Sequence, residues 1–179
     1  MKKTVILFFL ILSCPILQAQ DESTFCQCET ILDYRFEDYI DVFNSDDSSF
    51  PIARVRNNPQ EDEFLVVEII GRSDSLFRVN IRMAISNNPF QMNNVFVRKE
   101  HLIILSRLLN HPMPLYSQPS KSSTIVKSIE DSYGHIYEVI DSSVDWLRVV
   151  YTDGNNNRYE GWMAKEYQCS NIYSSCMGQ

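Results

Sequence analysis

Apolar and polar residues alternate in short runs through most of the chain, a pattern that predicts β-strands. The runs at 64–70, 76–83, 136–141 and 146–151 are rich in β-branched and aromatic residues. Polar clusters separate them, and because the chain has only five glycines, Asn and Asp must supply much of the turn chemistry. No window shows sustained helical periodicity, although the segment 29–40 ("ETILDYRFEDYI") has the pattern of a turn or two of helix. The pattern predicts an all-β protein.

The β-rich part of the chain also aligns with itself. Three blocks match in the same order: 67–81 with 137–151, 94–102 with 160–168, and 40–45 with 113–118. The shift between the paired blocks is nearly constant, and loops of different length account for its drift. We therefore predict two tandem β-domains of about 60–70 residues, each near the lower limit for an independent core. They join near 105–112, a segment short enough for the two halves to pack together.

The segment 1–19 has the three parts of an export signal. "MKK" is a positive start, "TVILFFLILSCPIL" is an apolar run, and Ala19 is a small residue for cleavage. Cys14 opens an alternative, since "ILSC" is loosely similar to a lipoprotein box whose cysteine becomes the lipid anchor. The segment 15–17 continues the apolar run where a lipoprotein usually has a polar tether, which favours cleavage after Ala19. We predict a signal peptide at 1–19 and a lead-in segment at 20–38 in an exported, periplasmic or secreted protein.

The net charge and the hydropathy of the chain limit the kinds of partner that we expect. The chain has a net charge of −7, and removal of the signal peptide, with its two lysines, makes it −9. An acidic surface argues against nucleic acid and against electrostatic docking onto anionic lipid. No second apolar stretch approaches the ~18 residues that a transmembrane helix needs. We therefore expect no nucleic-acid partner and no transmembrane segment in the mature chain.

Four cysteines remain after the predicted cleavage: Cys26, Cys28, Cys169 and Cys176. An even number in an oxidising compartment predicts disulfides. The spacings C-x-C and C-x6-C differ from the C-x2-C pairs of structural zinc sites, so we predict no metal. We expect a local Cys169–Cys176 disulfide. Cys26 and Cys28 are too close for an easy mutual bond, and whether one pairs elsewhere in the chain or with another chain stays open.

The second half carries an ordered set of motifs. "LYSQPS" opens it, a "DWLRV" strand and a polar hairpin follow, and an "EGWM" strand leads into a short 3₁₀ turn at "KEY". With these motifs, Met113–Cys176 resembles a bacterial SH3-like domain of the exported, cell-envelope kind, in which a C-x6-C after the GW strand recurs. The first half, Tyr39–Ile104, resembles that domain only through the internal alignment. The resemblance implies two tandem small SH3-like β-barrels, a divergent one at 39–106 and a second at 107–179.

A small, curved barrel fills its interior with alternate strand residues. Asp153-Gly154 at the start of "DGNNN" indicates a tight turn between two strands. The core residues expected on this basis are Ile52, Val55, Val67, Ile69, Phe77, Val79 and Val97 in the first half and Leu115, Ile125, Ile129, Val139, Leu147, Val149 and Met163 in the second.

The sequence contains no recognisable pattern of catalytic or metal-binding residues. His101, His111 and His135 are far apart and show no H-E-x-x-H spacing. A Cys–His mechanism needs a reduced cysteine, and the cysteines are better explained as disulfide partners. "DGNNN" lacks the alternating acidic order and the closing Glu of a calcium loop. We predict no catalytic residues and no cofactor.

A binding face has more support. In the SH3 domains of signalling proteins an aromatic groove accepts an extended Pro-rich ligand, and the resemblance places Tyr116, Trp146 and Tyr167 near the corresponding positions. Ala164 stands where those domains carry a Pro, so Pro-rich recognition does not carry over directly. Trp146 and Trp162 also fit a core or half-core position in the barrel, and Gly161 before Trp162 would let backbone come close.

Acidic residues lie near this predicted face. Glu130, Asp131, Asp141 and Asp145 fall within "EDSYGHIYEVIDSSVD", which favours an amine-bearing ligand such as a wall peptide. A charge run is more often a solvated surface. We take Tyr116, Trp146, Tyr167, Glu130 and Asp131 as the candidate ligand-binding residues.

These observations give three functional hypotheses. The leading one is a non-catalytic exported module that binds a peptide, peptidoglycan or an envelope protein. The alternative is a structural adaptor without a small ligand, in which the two domains pack into one rigid block. A small cell-wall hydrolase is the least supported, because the chain shows no nucleophile and base.

Overall fold

The structure, a computed structural model, describes residues 28–61, 63–85, 90–107, 109–174 and 176. The predicted signal peptide, Cys14 and Cys26 lie outside the described residues. Within these ranges the first half contains the strands β1 Cys28–Leu32, β2 Ile40–Val42, β3 Ala53–Val55, β4 Leu65–Arg72, β5 Leu76–Met83, β6 Gln91–Arg98 and β7 Leu102–Ser106. The second half contains β8 Met113–Tyr116, β9 Ile125–Ile129, β10 Ile136–Ser143, β11 Trp146–Thr152, β12 Arg158–Ala164 and β13 Gln168–Cys169.

Short 3₁₀ turns accompany the strands, at Pro59–Glu61, Lys99–His101 and Lys165–Tyr167. Among the described residues, no helical segment has the length and apolar character needed to cross a membrane. The prediction of an all-β protein is confirmed.

Most of the described strands form one antiparallel sheet in the order β6-β5-β4-β1-β7-β10-β11-β12-β8-β9, and β13 pairs with β7 beside this path. The strands β2 and β3 pair with each other. The strand pairings therefore run through both halves as one open sheet rather than as two closed barrels. The link is β7, which pairs with β1, β10 and β13.

The expectation of helix at 29–40 is wrong, because this segment begins with strand β1. Thr30 and Ile31 are fully buried, and the Thr30 hydroxyl donates to the Val67 carbonyl at 2.9 Å. β1 lies between β4 and β7, so it is hydrogen-bonded along both edges. Ladders on two sides outweigh a weak local helical pattern. The predicted lead-in segment thus supplies a strand inside the sheet.

Apolar side chains from both halves form one contiguous core. Twelve of the fourteen predicted core residues are buried. The predictions for Ile52 and Ile125 are wrong, since their exposed fractions are 54% and 52%. Ile125 pairs with Tyr116 where the β8–β9 register shifts, and a shift by one position turns a side chain to the opposite face. Ile52 lies just before β3 and three residues before the buried Val55, so the alternation of the strand turns it to the opposite face.

One buried amide ties β1 to β4. The Asn57 side chain donates to the Leu32 carbonyl at 2.7 Å and accepts from the Leu65 N–H at 2.8 Å. Leu32 ends β1 and Leu65 begins β4, so Asn57 satisfies backbone groups where the ladder stops.

The predicted disulfide is confirmed. Cys169 in β13 is bonded to Cys176, with their Cα atoms 5.8 Å apart. Closing so short a loop restricts the unfolded chain and stabilises the fold by about 2–3 kcal/mol. A disulfide indicates an oxidising, non-cytoplasmic location. Cys28 is itself disulfide-bonded.

Gly161 lies where β8 passes close to β12. A Cβ atom on Gly161 would lie 2.9 Å from the Leu115 Cβ and 3.1 Å from the Tyr116 carbonyl oxygen. Real Cβ atoms do not approach other atoms this closely, so only glycine, which has no side chain, fits at this position. The sequence expectation that this glycine admits close backbone approach is confirmed.

We predict that Gly161→Ala lowers the free energy of unfolding by about 1–3 kcal/mol, because β8 must move away from β12. Denaturant unfolding measures the change. Gly154→Ala is the matched control, since a Cβ there would meet no atom within 4 Å. Equal stability of the two variants would contradict the close packing.

The "DGNNN" segment closes the β11–β12 hairpin, as predicted. The Asp153 carboxylate accepts hydrogen bonds from the backbone N–H groups of Asn155 and Asn157, both at 2.9 Å, and from the Asn157 side chain at 3.0 Å. These bonds lower the pKa of Asp153 below its ordinary value of 3.8, and the bonds from Asn157 contribute most to the shift. The carboxylate therefore organises the turn through its charged form.

A lowered pKa in the folded protein gives stability that is present above the unfolded pKa and lost as pH falls through the folded value. We predict that Asp153→Ala lowers the melting temperature at pH 7 and that the difference from wild type shrinks below about pH 4. Thermal unfolding followed from neutral to strongly acidic pH tests this. A difference that is constant with pH would show that the charge of Asp153 plays no part.

Candidate functional site

The structure brings the three predicted aromatic residues together on the second half. Tyr116 ends β8, Trp146 begins β11, and Tyr167 ends the 3₁₀ turn Lys165–Tyr167. The rings of Tyr116 and Trp146 meet edge to face, with centroids 5.5 Å apart at 87°. Burial, followed by the neighbouring Tyr116 and Glu166, raises the pKa of Tyr167. We call Tyr116, Trp146 and Tyr167 the aromatic cluster.

The three rings differ in accessibility. Tyr116 is only 7% exposed, whereas Trp146 and Tyr167 are half-buried. Tyr116 therefore forms the floor of the cluster, and the accessible edges belong to the other two rings. Trp162, which pairs with both Tyr116 and Arg148 across the sheet, is also half-buried. Both tryptophans thus occupy half-core positions.

Ion pairs border the cluster. Lys121 pairs with Glu166 at 2.5 Å, and the hydrogen bond to Glu166 is the main cause of the raised pKa of Lys121. Lys165 pairs with Asp145 at 3.0 Å, next to Trp146. All four side chains are largely exposed, so the rim carries charges of both signs beside an aromatic surface.

The structure does not bring the two acidic candidates Glu130 and Asp131 to these rings, whereas Asp145 lies next to Trp146. Glu130 and Asp131 are exposed in the turn that follows β9. In the β8–β9 pair, Ile129 lies opposite Met113 and Ile125 lies opposite Tyr116. The turn is therefore at the far end of the hairpin, about 10 Å from Tyr116 along the strand. The Glu130 and Asp131 carboxylates and the aromatic cluster occupy different parts of the surface.

Each histidine packs against an aromatic ring. Burial lowers the pKa of His101, which favours its neutral form. Among the described residues, no group of three His, Cys, Asp or Glu side chains is arranged to hold a metal ion. The ring pairs, with their centroid distances, are His101–Phe36 at 4.7 Å, His111–Tyr167 at 6.4 Å and His135–Tyr151 at 5.4 Å.

Sequence reasoning missed two adjoining clefts on the first half. The first-half cleft has a volume of about 330 Å³ and is lined by Phe43, Asp46, Pro51, Leu76, Arg98 and Glu100, among others. The junction cleft, of about 740 Å³, is lined by residues that include Asp46, Arg72, Asp74, Lys99 and Asp141. Asp46 and Ser75 line both clefts. The sequence does not show these clefts directly, because their lining residues come from distant segments. The internal alignment could have indicated the first-half cleft, since it pairs Phe43 with Tyr116 and Leu76 with Trp146.

No protein-family model matches this chain, and neither does any curated protein. Among solved structures, NlpC2 from Trichomonas vaginalis is 15% identical, with 81% of this chain and 49% of that chain covered and a TM-score of 0.31. NlpC1 from the same organism is 16% identical, with coverages of 79% and 46% and a TM-score of 0.29. This chain spans about half the length of either protein. Likenesses this distant carry no argument about its activity.

Proposed function

We propose that this protein is a non-catalytic, exported binding protein built from two SH3-like units. Through the aromatic cluster it recognises a peptide, either the peptide part of peptidoglycan or a segment of an envelope protein. The observation that carries the proposal is the pair of accessible ring edges, Trp146 and Tyr167, set on the packed floor of Tyr116.

Matching bridges support the two-unit architecture. Phe43 forms an antiparallel bridge with Phe96, and Tyr116 pairs with Trp162. Phe43 aligns with Tyr116 when block 40–45 is laid on 113–118, and Phe96 aligns with Trp162 when block 94–102 is laid on 160–168. Aligned residues therefore make the same cross-strand contact in each half.

Register shifts at aligned positions of the two halves also support the two-unit architecture. The β4–β5 register shifts between Ile69 and Gly71, and the β10–β11 register shifts at the aligned place, between Val139 and Asp141. A bulge is a specific local feature rather than a general property of sheets. The 3₁₀ turns at Lys99–His101 and Lys165–Tyr167 also occupy aligned positions. We infer that each half is one SH3-like unit and that the two are merged into one sheet.

The form of the aromatic cluster suits an extended peptide. Trp and Tyr give a large contact area with few rotatable bonds, and their polar edges tolerate water. The ion pairs at the rim, Lys121–Glu166 and Lys165–Asp145, offer charges of both signs to the ends or side chains of a peptide.

Two features support a non-catalytic role. Cys28, Cys169 and Cys176 are disulfide-bonded, so none of the described cysteines offers the thiolate that a Cys–His mechanism needs. The histidines are packed on aromatic rings. The described residues therefore contain no cysteine–histidine pair ready for covalent catalysis.

Co-sedimentation with purified peptidoglycan tests the proposal. We expect the wild-type protein to pellet with the wall, and Trp146→Ala with Tyr167→Ala to weaken binding by about tenfold or more, as expected for aromatic anchors. Tyr133→Ala is the matched control, because Tyr133 is 51% exposed but lies in another turn. Circular dichroism confirms that each variant is folded. Failure of the wild type to capture either wall material or an envelope protein would overturn the proposal.

A structural adaptor is the second candidate, and the shared strand β7 favours it. An ion pair between Arg72 and Asp141 also crosses between the halves, and the Arg72 guanidinium donates to the Ser142 carbonyl at 3.0 Å. Adaptors present a fixed surface, which such a junction provides.

The adaptor function makes the opposite prediction for partner capture from an envelope extract. Arg72→Ala with Asp141→Ala should weaken capture severalfold, while the Trp146 and Tyr167 variant should leave it unchanged. Quantitative mass spectrometry of the captured proteins measures both. If capture depends on the aromatic residues and not on the junction, the adaptor function is excluded.

A further inference from the structure

We propose that the first-half cleft is a second ligand site, and that it binds an extended peptide in which a lysine-like amine lies next to an apolar side chain. The inference rests on the two-unit architecture given under the proposed function. It goes beyond that function by assigning a site to the first unit and a chemical class to its ligand.

Position is the first argument. In the first unit, Phe43 and Leu76 take the places that Tyr116 and Trp146 have in the second. Phe43 and Leu76 are 6% and 7% exposed, so they form a packed apolar floor, with Pro51 beside them in the same cleft. A floor of this kind accepts an apolar side chain.

Volume is the second argument. In the second unit the indole of Trp146 meets the ring of Tyr116 edge to face. The corresponding Leu76 is much smaller than an indole. The cleft of about 330 Å³ is lined by Phe43 and Leu76, the residues that align with Tyr116 and Trp146. This volume is large enough for one or two peptide side chains.

Charge is the third argument, and it selects the ligand. Six carboxylates and three basic side chains line the first-half cleft and the junction cleft together. Two of the bases, Arg72 and Lys99, already contact Asp141, and the third, Arg98, lies 3.9 Å from Glu100. Within the described residues, neither Asp46 nor Asp74 has a cationic partner. Their uncompensated negative charge complements an amine.

An exposed aromatic residue immediately precedes Pro51 in the chain. Phe50 is 81% exposed and precedes Pro51, which lines the cleft. The Ser48 hydroxyl donates to the Phe50 carbonyl at 2.9 Å, which helps to hold the backbone of this rim. We therefore expect a peptide seated on Phe43 and Leu76 to contact the Phe50 ring as well.

The test uses the mature protein and two probe peptides. One is acetyl-Ala-Leu-Lys-Ala-amide and the other has norleucine in place of the lysine, which keeps the aliphatic chain and removes the charge. Chemical-shift titration measures both affinities. We expect the lysine peptide to bind about five- to tenfold more tightly, and Asp46→Asn with Asp74→Asn to remove that preference. Asp131→Asn, an exposed acid of the second unit, is the matched control and should preserve it.

Two further variants test the apolar floor. Leu76→Trp should fill the cleft and abolish binding of both peptides, and the second unit shows that a Trp is accommodated at the corresponding place. Phe50→Ser changes an exposed side chain and should weaken both peptides severalfold even if Leu76→Trp fails to fold. Equal affinity for the two peptides, or an unchanged preference in the double Asn variant, would overturn the proposal.

The two proposals fail in different ways. If peptidoglycan binding depends on Trp146 and Tyr167 while the lysine preference ignores Asp46 and Asp74, the second site is wrong and the proposed function stands. If the lysine preference depends on Asp46 and Asp74 but neither wall nor envelope protein is captured, the second site stands and the proposed function is wrong.

Discussion

Backbone pairing of strand β7 is the interaction on which the rest of the structure depends. β7 is hydrogen-bonded to β10 on one edge, and to β1 and β13 on the other. Leu102, Ile103 and Ile104 have no exposed surface, so their N–H and C=O groups cannot turn to water and must be paired within the sheet. Separating the halves would leave one edge of a buried strand unpaired. Each half alone is too small for a generous core, and β7 joins the two halves into one sheet over a common core.

Several contacts outside β7 stabilise the same junction between the two halves. The Cys169–Cys176 disulfide holds the chain just after β13, and β13 itself lies on β7. The Arg72–Asp141 ion pair closes the same junction from another side. The Glu29 carboxylate accepts a hydrogen bond from Ser170, which lies near the other end of the described chain. Covalent, ionic and backbone contacts therefore act on a single interface, and the relative orientation of the two units is fixed by all of them together.

The sequence could predict what depends on local pattern. Runs of β-branched and aromatic residues located the long strands β4, β5, β10 and β11. Alternation identified twelve of the fourteen core residues, and the cysteine spacing indicated the disulfide. It could not locate β1, because a strand held on both edges by distant partners needs little local β-pattern. It misplaced Ile125 because a register shift in the β8–β9 hairpin reverses the alternation, and Ile52 because a residue three positions before the buried Val55 faces the opposite side of the strand. It grouped Glu130 with the aromatic cluster because closeness in sequence does not reveal that a hairpin carries the two apart.

The differences between the units are more informative about function than their similarity. A fold of this size needs apolar residues at Phe43, Leu76 and their counterparts, but it does not need a tryptophan, and the first unit does without one. The second unit keeps Trp146 half-exposed, although burying it fully would contribute more to stability. Neither a half-exposed indole in the second half nor an acidic cleft in the first half is needed for folding. Because β7 fixes the two faces relative to each other, a ligand that reaches both gains affinity only when its length matches their separation. If both proposed sites bind, their fixed separation would select a partner by length as well as by chemistry.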